Sequence, residues 1–157
     1  MIEPNNNSIR LAHASDALSL ARMRYALRAS TGKAIETEVD FVQRCLPWMA
    51  QHLEADAWRC WVAEREGKMI GNLWLQRIEK IPNPTSESEY YAYITSFFVT
   101  QSARGKGLGS SLLSTSLTWC REHEVQAVIL WPTDKSRTLY ERFGFAVRSD
   151  LFELVFG

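Results

Sequence analysis

Ile9 and Leu11 alternate with polar neighbours over Ser8–Leu11, which predicts a short strand. Ser15 or Asp16 then stands where a helix cap belongs, ahead of Leu18, Ala21 and Tyr25 on one face of a helix running to about Ala29. Val39, Val42, Leu46 and Met49 recur at helical spacing across Glu36–Leu53, and Pro47 within that run predicts a kink or a split. Trp58–Glu64 and Met69–Lys80 have strand patterns and flank the turn Glu66-Gly67-Lys68, so the pair predicts an antiparallel hairpin. Tyr91–Val99 is apolar, aromatic and β-branched, as a central strand is. Gly107–His123 turns Leu108, Leu112, Leu117 and Cys120 to one helix face. Ala127–Trp131 is an apolar strand stopped by Pro132, and Asp134 opens a short helix that Gly144 ends near Phe143. Phe145–Arg148 and Phe152–Phe156 have strand patterns and are expected to close the chain.

Strands interleaved with helices predict a mixed sheet covered on both faces, an α/β fold of the α+β kind. The loop Pro82–Glu89 suits a long hairpin connection better than a domain boundary, so residues 1–157 are expected to form one domain. Hydrophobic residues are 46% and charged residues 23% of the chain, which excludes a disordered chain or a low-complexity fibre. Eighteen basic and 18 acidic residues leave no net charge, so neither nucleic acid nor an anionic membrane is an expected partner. Cys45, Cys60 and Cys120 make no CxxC, and His13, His52 and His123 are scattered, so no metal site is expected and a reducing cytoplasm is the default location. The polar opening Met1–Asn7 predicts no secretory leader, and no apolar run is long enough to span a bilayer.

The chemistry-bearing segment is Arg104-Gly105-Lys106-Gly107-Leu108-Gly109-Ser110, between the central strand and the long helix. Alternate glycines allow a tight turn and a positive φ, and the first N–H groups of the helix lack internal partners at the positive end of its dipole. The product is an anion cradle suited to a phosphate or diphosphate, with Arg104 and Lys106 adding charge. It is neither a Walker A loop, which needs Gly-Lys-Ser/Thr after its spacer, nor GxGxxG.

The segment resembles the Arg/Gln-x-x-Gly-x-Gly/Ala signature of the GNAT (GCN5-related) N-acetyltransferases. Thr138-Leu139-Tyr140-Glu141-Arg142-Phe143-Gly144-Phe145 is similar to a second segment of that family, Leu-Tyr-Glu-x-x-Gly-Phe, in the expected order. The resemblance implies a GNAT-like, mostly antiparallel sheet and acetyl-CoA as co-substrate, with no metal. It implies a bulge that splays the central strand, an N–H near Phe98 or Val99 that polarises the thioester carbonyl, and backbone amides of Arg104, Gly105, Lys106, Gly107, Leu108, Gly109 and Ser110 on the pyrophosphate. The family's Asn and the small residue three positions on fall at Thr133 and Ser136, and Thr departs from that pattern. Tyr140 is the candidate acid that protonates the leaving thiolate; its alternative role is as a packed core phenol.

The expected activity is acetyl transfer from acetyl-CoA to a primary amine, by direct attack in a ternary complex. The acceptor is a small molecule or a peptide amine. The rival readings are a non-catalytic acyl-CoA-binding module, or transfer of a longer acyl chain or to a hydroxyl. Tyr93-Ile94-Thr95-Ser96 has no carboxylate, so the base stays open among a water chain at Tyr93, Thr95 or Ser96 and the carboxylates of Glu36, Glu38 and Glu79. Many members of the family dimerise, and the sequence leaves monomer and homodimer both open.

Overall fold

The computed structural model describes residues 6–157, so Met1–Asn5 of the polar opening lie outside the described residues. The elements run in the order β1 (Asn7–Leu11), α1 (Ala17–Ala29), α2 (Glu38–His52), β2 (Trp58–Arg65), β3 (Lys68–Glu79), β4 (Tyr90–Val99), α3 (Leu108–Glu122), β5 (Val125–Ile129) and α4 (Arg137–Arg142). One sheet has the order β1-β2-β3-β4-β5. Among the described residues only β4 and β5 pair in parallel, joined through α3 as a parallel crossover requires.

The alternation along β2 sorts the two layers. Trp61 and Ala63 face α3 and α4, together with Leu73, Leu75, Ala92, Ile94, Leu112 and Leu113. Cys60 and Val62 face α1 and α2, with Trp74, Leu20, Ala21 and Met49. Helices therefore cover both faces, as the pattern predicts. At the β2–β3 turn Glu66 and Gly67 both have positive φ, 52° and 75°, the geometry of a two-residue hairpin loop. Gly71 lets α3 approach β3. A Cβ there would lie 3.1 Å from the Phe98 carbonyl oxygen and 3.3 Å from Leu112 Cδ1.

The helix caps differ in detail from the sequence expectation. Asp16 does not cap α1 by its own side chain; its Oδ2 accepts from the His13 amide at 2.7 Å, before a 3-10 turn at Ala14–Asp16. Arg10 clamps the same carboxylate at 2.8 and 2.9 Å, and also pairs with Glu64, tying β1 to β2 and α1. Thr37 Oγ1 caps α2, and that helix runs through Pro47 to His52 without a split. Gly144, at φ 92°, ends α4, with the Phe145 amide reaching back to the Tyr140 carbonyl at 3.1 Å.

Two predicted strands are absent. Phe145–Arg148 and Phe152–Phe156 have strand patterns but form none, and among the described residues no backbone hydrogen bond joins 146–157 to another element. A strand exists only with a neighbour for its backbone groups. Among the described residues the outer edge of β5 has no partner strand.

Candidate active site

The site begins at an irregularity in β4. Trp74 pairs with Thr95 and Asn72 with Phe98, so Leu73 alone stands opposite Ser96 and Phe97. This is a bulge, and Ser96 enters the left-handed region at φ 50° to make it. Such a conformation costs a non-glycine residue about 1–3 kcal/mol, which the surrounding sheet has to offset. On its other side β4 pairs with β5 only from Tyr90 to Tyr93. Past Tyr93 and Ile129 the ladder ends, so 94–99 have no strand partner on that side, and this unpaired edge beside 130–132 is the slot.

The backbone facing this slot can be assigned. The Thr100 amide donates to the Ile70 carbonyl at 2.9 Å. Antiparallel alternation then turns the backbone groups of Phe98 toward β3 and those of Val99 into the slot. The Val99 carbonyl accepts from Arg104 Nε at 2.9 Å, and the Arg104 guanidinium lies 5.6 Å from the Phe98 ring centroid.

The glycine loop lies at the end of the slot. Gly105 and Gly107 have φ of 77° and 78°, and a Cβ at either would meet nothing within 4 Å. Glycine is needed there for the turn, not for space. The Arg104 amide is already used, closing a 3-10 turn onto Gln101 at 3.3 Å. Among the described residues the amides of Gly105, Lys106, Gly107, Leu108, Gly109 and Ser110 have no acceptor in the chain, and the Ser111 amide is the first to return, to Gly107. Six successive N–H groups thus converge at the start of α3, whose dipole adds to them. Leu108 is buried and anchors the loop, while Lys106 is exposed.

Tyr140, on α4, is 7% exposed and lines a cavity of about 450 Å³ with Val128, Leu130 and Phe145. Its ring packs 5.5 Å from Phe145 and 6.3 Å from Phe97. Burial pushes its phenol up to about 12, so it is a proton donor throughout the neutral range.

Thr133 and Ser136 are occupied with each other. Ser136 Oγ accepts from the Thr133 amide at 2.9 Å, Thr133 Oγ1 accepts from the Ser136 amide at 3.3 Å, and the two hydroxyls lie 2.9 Å apart. This reciprocal pair closes the turn 133–136 that leads into α4, whose N-cap is Ser136 rather than Asp134 and makes no side-chain cap bond to the helix.

Neither Glu36 nor Glu79 stands free at the slot. Glu36 is bonded to Arg44 at 2.5 and 3.1 Å, and Glu79 pairs with Tyr90 at the far end of β3. Burial pushes the thiols of Cys45, Cys60 and Cys120 up, the last to about 11, so none is an activated nucleophile. Among the described residues no cluster of His, Cys, Asp or Glu has a metal-binding arrangement, and no helix is long and apolar enough to cross a membrane.

Two further groups at the site are silent in the sequence. Asn72 is fully buried beside the bulge, its Nδ2 3.7 Å from Met23 Sδ and its Oδ1 without a partner among the described residues; Ser96 Oγ and Trp74 Nε1 share that state nearby. Arg24 is a half-buried cation in α1 with no carboxylate partner among the described residues, and burial lowers its pKa from the usual guanidinium range. An isolated Asn in an apolar strand, or Arg on a helix, gives no signal in sequence until the sheet is assembled. Tyr93, by contrast, is a sequence candidate that reaches the site: its ring meets Trp131 edge-on at 5.3 Å at the mouth of the slot.

A family profile described as "Acetyltransferase (GNAT) family" matches residues 22–145. No curated protein matches the sequence. Solved structures resemble the fold: a GCN5-related N-acetyltransferase from Ralstonia eutropha (22% identity, 95% of this chain and 98% of that one, TM-score 0.79); a predicted acetyltransferase with acetyl-CoA from Clostridium acetobutylicum (21%, 95% and 96%, 0.80); and glucosamine-6-phosphate N-acetyltransferase from Arabidopsis thaliana (21%, 96% and 99%, 0.69).

Proposed function

The chain belongs to the GNAT acetyltransferase family, and from that premise we propose that it transfers the acetyl group of acetyl-CoA to a primary amine by direct attack in a ternary complex. The observation that carries this reading is the join of two features: a slot along the unpaired edge of β4, ending at six converging amides. An acyl-CoA has the matching parts, an extended arm with amide groups and a diphosphate.

In this reading the amides of residues 105–110 hold the diphosphate, and Lys106 adds charge at the rim. The arm lies along Phe97–Val99 as an added strand. The Val99 amide, rather than that of Phe98, polarises the thioester carbonyl, because alternation turns Val99 outward. The Thr133 and Ser136 hydroxyls reach the arm only by giving up part of their bonding to each other.

The acceptor nitrogen attacks the carbonyl carbon, a C–N bond forms, and the C–S bond breaks. The leaving sulfur takes a proton from the Tyr140 hydroxyl, and the proton that the nitrogen gives up as the amide forms passes to solvent, from which the tyrosinate is reprotonated. The absence of an activated thiol among the described residues supports direct attack over a covalent enzyme intermediate. No side chain is assigned as base; the amine enters neutral or loses its proton to solvent.

The test is thiol release from acetyl-CoA with a panel of amino sugars, polyamines, amino acids and lysine peptides. Release with at least one amine, matched by one acetylated product, is the expected result. Tight binding of acetyl-CoA with no release across the panel would replace the enzyme with a binding module.

A further inference from the structure

Charge is balanced over the whole chain but not around the slot. Residues 17–35, which are α1 and the loop after it, contain Arg22, Arg24, Arg28 and Lys33 and neither Asp nor Glu. Residues 90–110, which are β4 and the glycine loop, add Arg104 and Lys106, again with no acid. The carboxylates that offset these cations stand elsewhere in the chain, so the elements about the slot carry a local positive field.

One of these cations faces the place an acceptor must occupy. The glycine loop and Tyr140 lie with α3 and α4 on one face of the sheet. An arm held there leaves the other face, covered by α1 and α2, for the incoming amine. Ala92 and Ile94 face α3, so alternation turns Tyr93 and Thr95 toward α1. Arg24 of α1 is half-buried and lies within electrostatic reach of Tyr93, whose ring stands at the mouth of the slot, and of Cys45 in α2. Met23 Sδ lies 3.7 Å from Asn72 Nδ2, which seats this turn of α1 on β3 beside the bulge.

Nothing in the chain neutralises Arg24. Among the described residues it has no ion pair and no hydrogen bond from its side chain. Arg28, one helical turn on, is a second cation, and like charges at this spacing repel. Glu36, the first carboxylate after α1, is taken by Arg44. A half-buried cation whose neighbour on the helix has the same sign costs stability unless an anion joins it. Polar atoms on the same face are also unmatched: Asn72 Oδ1 and Trp74 Nε1 are buried without a partner among the described residues.

We propose that Arg24 binds an anionic group of the acceptor, so that the substrate is a primary amine bearing a carboxylate or a phosphate. A guanidinium fork matches either oxyanion with two parallel N–H donors. The same cations oppose polyamines and lysine-rich peptides, whose further ammonium groups would meet Arg24 and Arg28 with no carboxylate to receive them. The amine's role as acceptor rests on the acetyl-transfer reading; the charge preference rests on Arg24.

The experiment compares amines matched except for the anion: β-alanine with propylamine, and phosphoethanolamine with ethanolamine. Each is titrated calorimetrically into the full chain with coenzyme A present, which needs no transfer, and each is assayed for thiol release from acetyl-CoA. The anionic member of at least one pair should bind about tenfold tighter than its partner or better, and the two pairs separate carboxylate from phosphate. Arg24→Gln should abolish that preference and leave coenzyme A affinity unchanged, which with circular dichroism shows a folded protein. Arg24→Lys, the milder change, should keep part of the preference, since charge returns without the fork. Equal binding within both pairs would overturn the proposal, as would a preference that survives intact in both variants, or spermidine binding better than all four amines. Anion-dependent binding that Arg24→Gln removes, without thiol release from any amine, would sink the acetyl-transfer reading and leave this inference standing. Thiol release indifferent to the anion would do the reverse.

Discussion

Arg104 Nε donates to the carbonyl of Val99 at 2.9 Å, spanning the turn between β4 and the glycine loop. One side chain thus fixes the spacing between the strand that faces the slot and the amides at its end. Arg104→Ala should weaken coenzyme A about tenfold, close to 1.4 kcal/mol, because the loop loses both its tether and a nearby cation. Arg104→Lys should recover only part of this, since an ammonium restores charge without the planar donor. Calorimetric titration of the two variants checks the order; an unchanged affinity in Arg104→Ala would remove the tether from the account.

Three glycines should respond differently to alanine. Gly107→Ala must hold a left-handed φ and should lose about 1–2 kcal/mol. Gly71→Ala places a Cβ 3.1 Å from a backbone oxygen and should lose about 1–3 kcal/mol. Gly109 has an ordinary φ, and its added Cβ would sit 3.5 Å from Phe97 and 3.7 Å from Leu139, so Gly109→Ala should be neutral in stability. Urea denaturation of the three proteins decides this; equal losses would contradict the conformational argument.

Tyr140→Phe should lower kcat by about a hundredfold with little change in KM for acetyl-CoA, as expected for a lost proton donor. The pH profile adds a sign. With the phenol pushed up to about 12, kcat should not fall through pH 10, where a solvent-exposed tyrosine would ionise. Folding should feel the same group: the folded state keeps the proton longer than the unfolded one, so stability falls between about pH 10 and 12. A stopped-flow or plate assay from about pH 6 to 11 brackets the phenol's ordinary range, and full turnover in Tyr140→Phe would return Tyr140 to a packing role.

Asp16 has a depressed pKa because Arg10 hydrogen-bonds it. Its ionised form is favoured in the folded state, so its contribution is full above about pH 4 and is lost as pH falls below that. Asp16→Asn should therefore cost about 1–2 kcal/mol at pH 7 and progressively less toward pH 2. Denaturation midpoints at both pH values check it.

The fold is readable where period and punctuation agree. Trp61 and Ala63 alternating with Cys60 and Val62 mark a strand with helices on both sides, and Gly105, Gly107 and Gly109 mark the junction that becomes the cradle. The family resemblance implies a bulge in the central strand, but its position is not readable from the residues: Ser96 at φ 50° looks like any strand serine, because the signal lies in its register against Leu73. Thr133 and Ser136 have the spacing of ligand positions, yet their nearest partners are each other, a local turn that sequence offers equally well. The last two strands fail for a different reason. Phe152, Leu154 and Phe156 have the right period, but period does not provide a neighbouring edge.

The central claim is that the free amides of 105–110 grip a diphosphate. The direct measurement is calorimetric titration of folded protein with coenzyme A and, separately, with pantetheine, which has the arm but no diphosphate. The account predicts binding of coenzyme A, with pantetheine roughly a hundredfold weaker or more, the loss of several charge-assisted hydrogen bonds. No heat with coenzyme A, or equal affinity for the two, would contradict it.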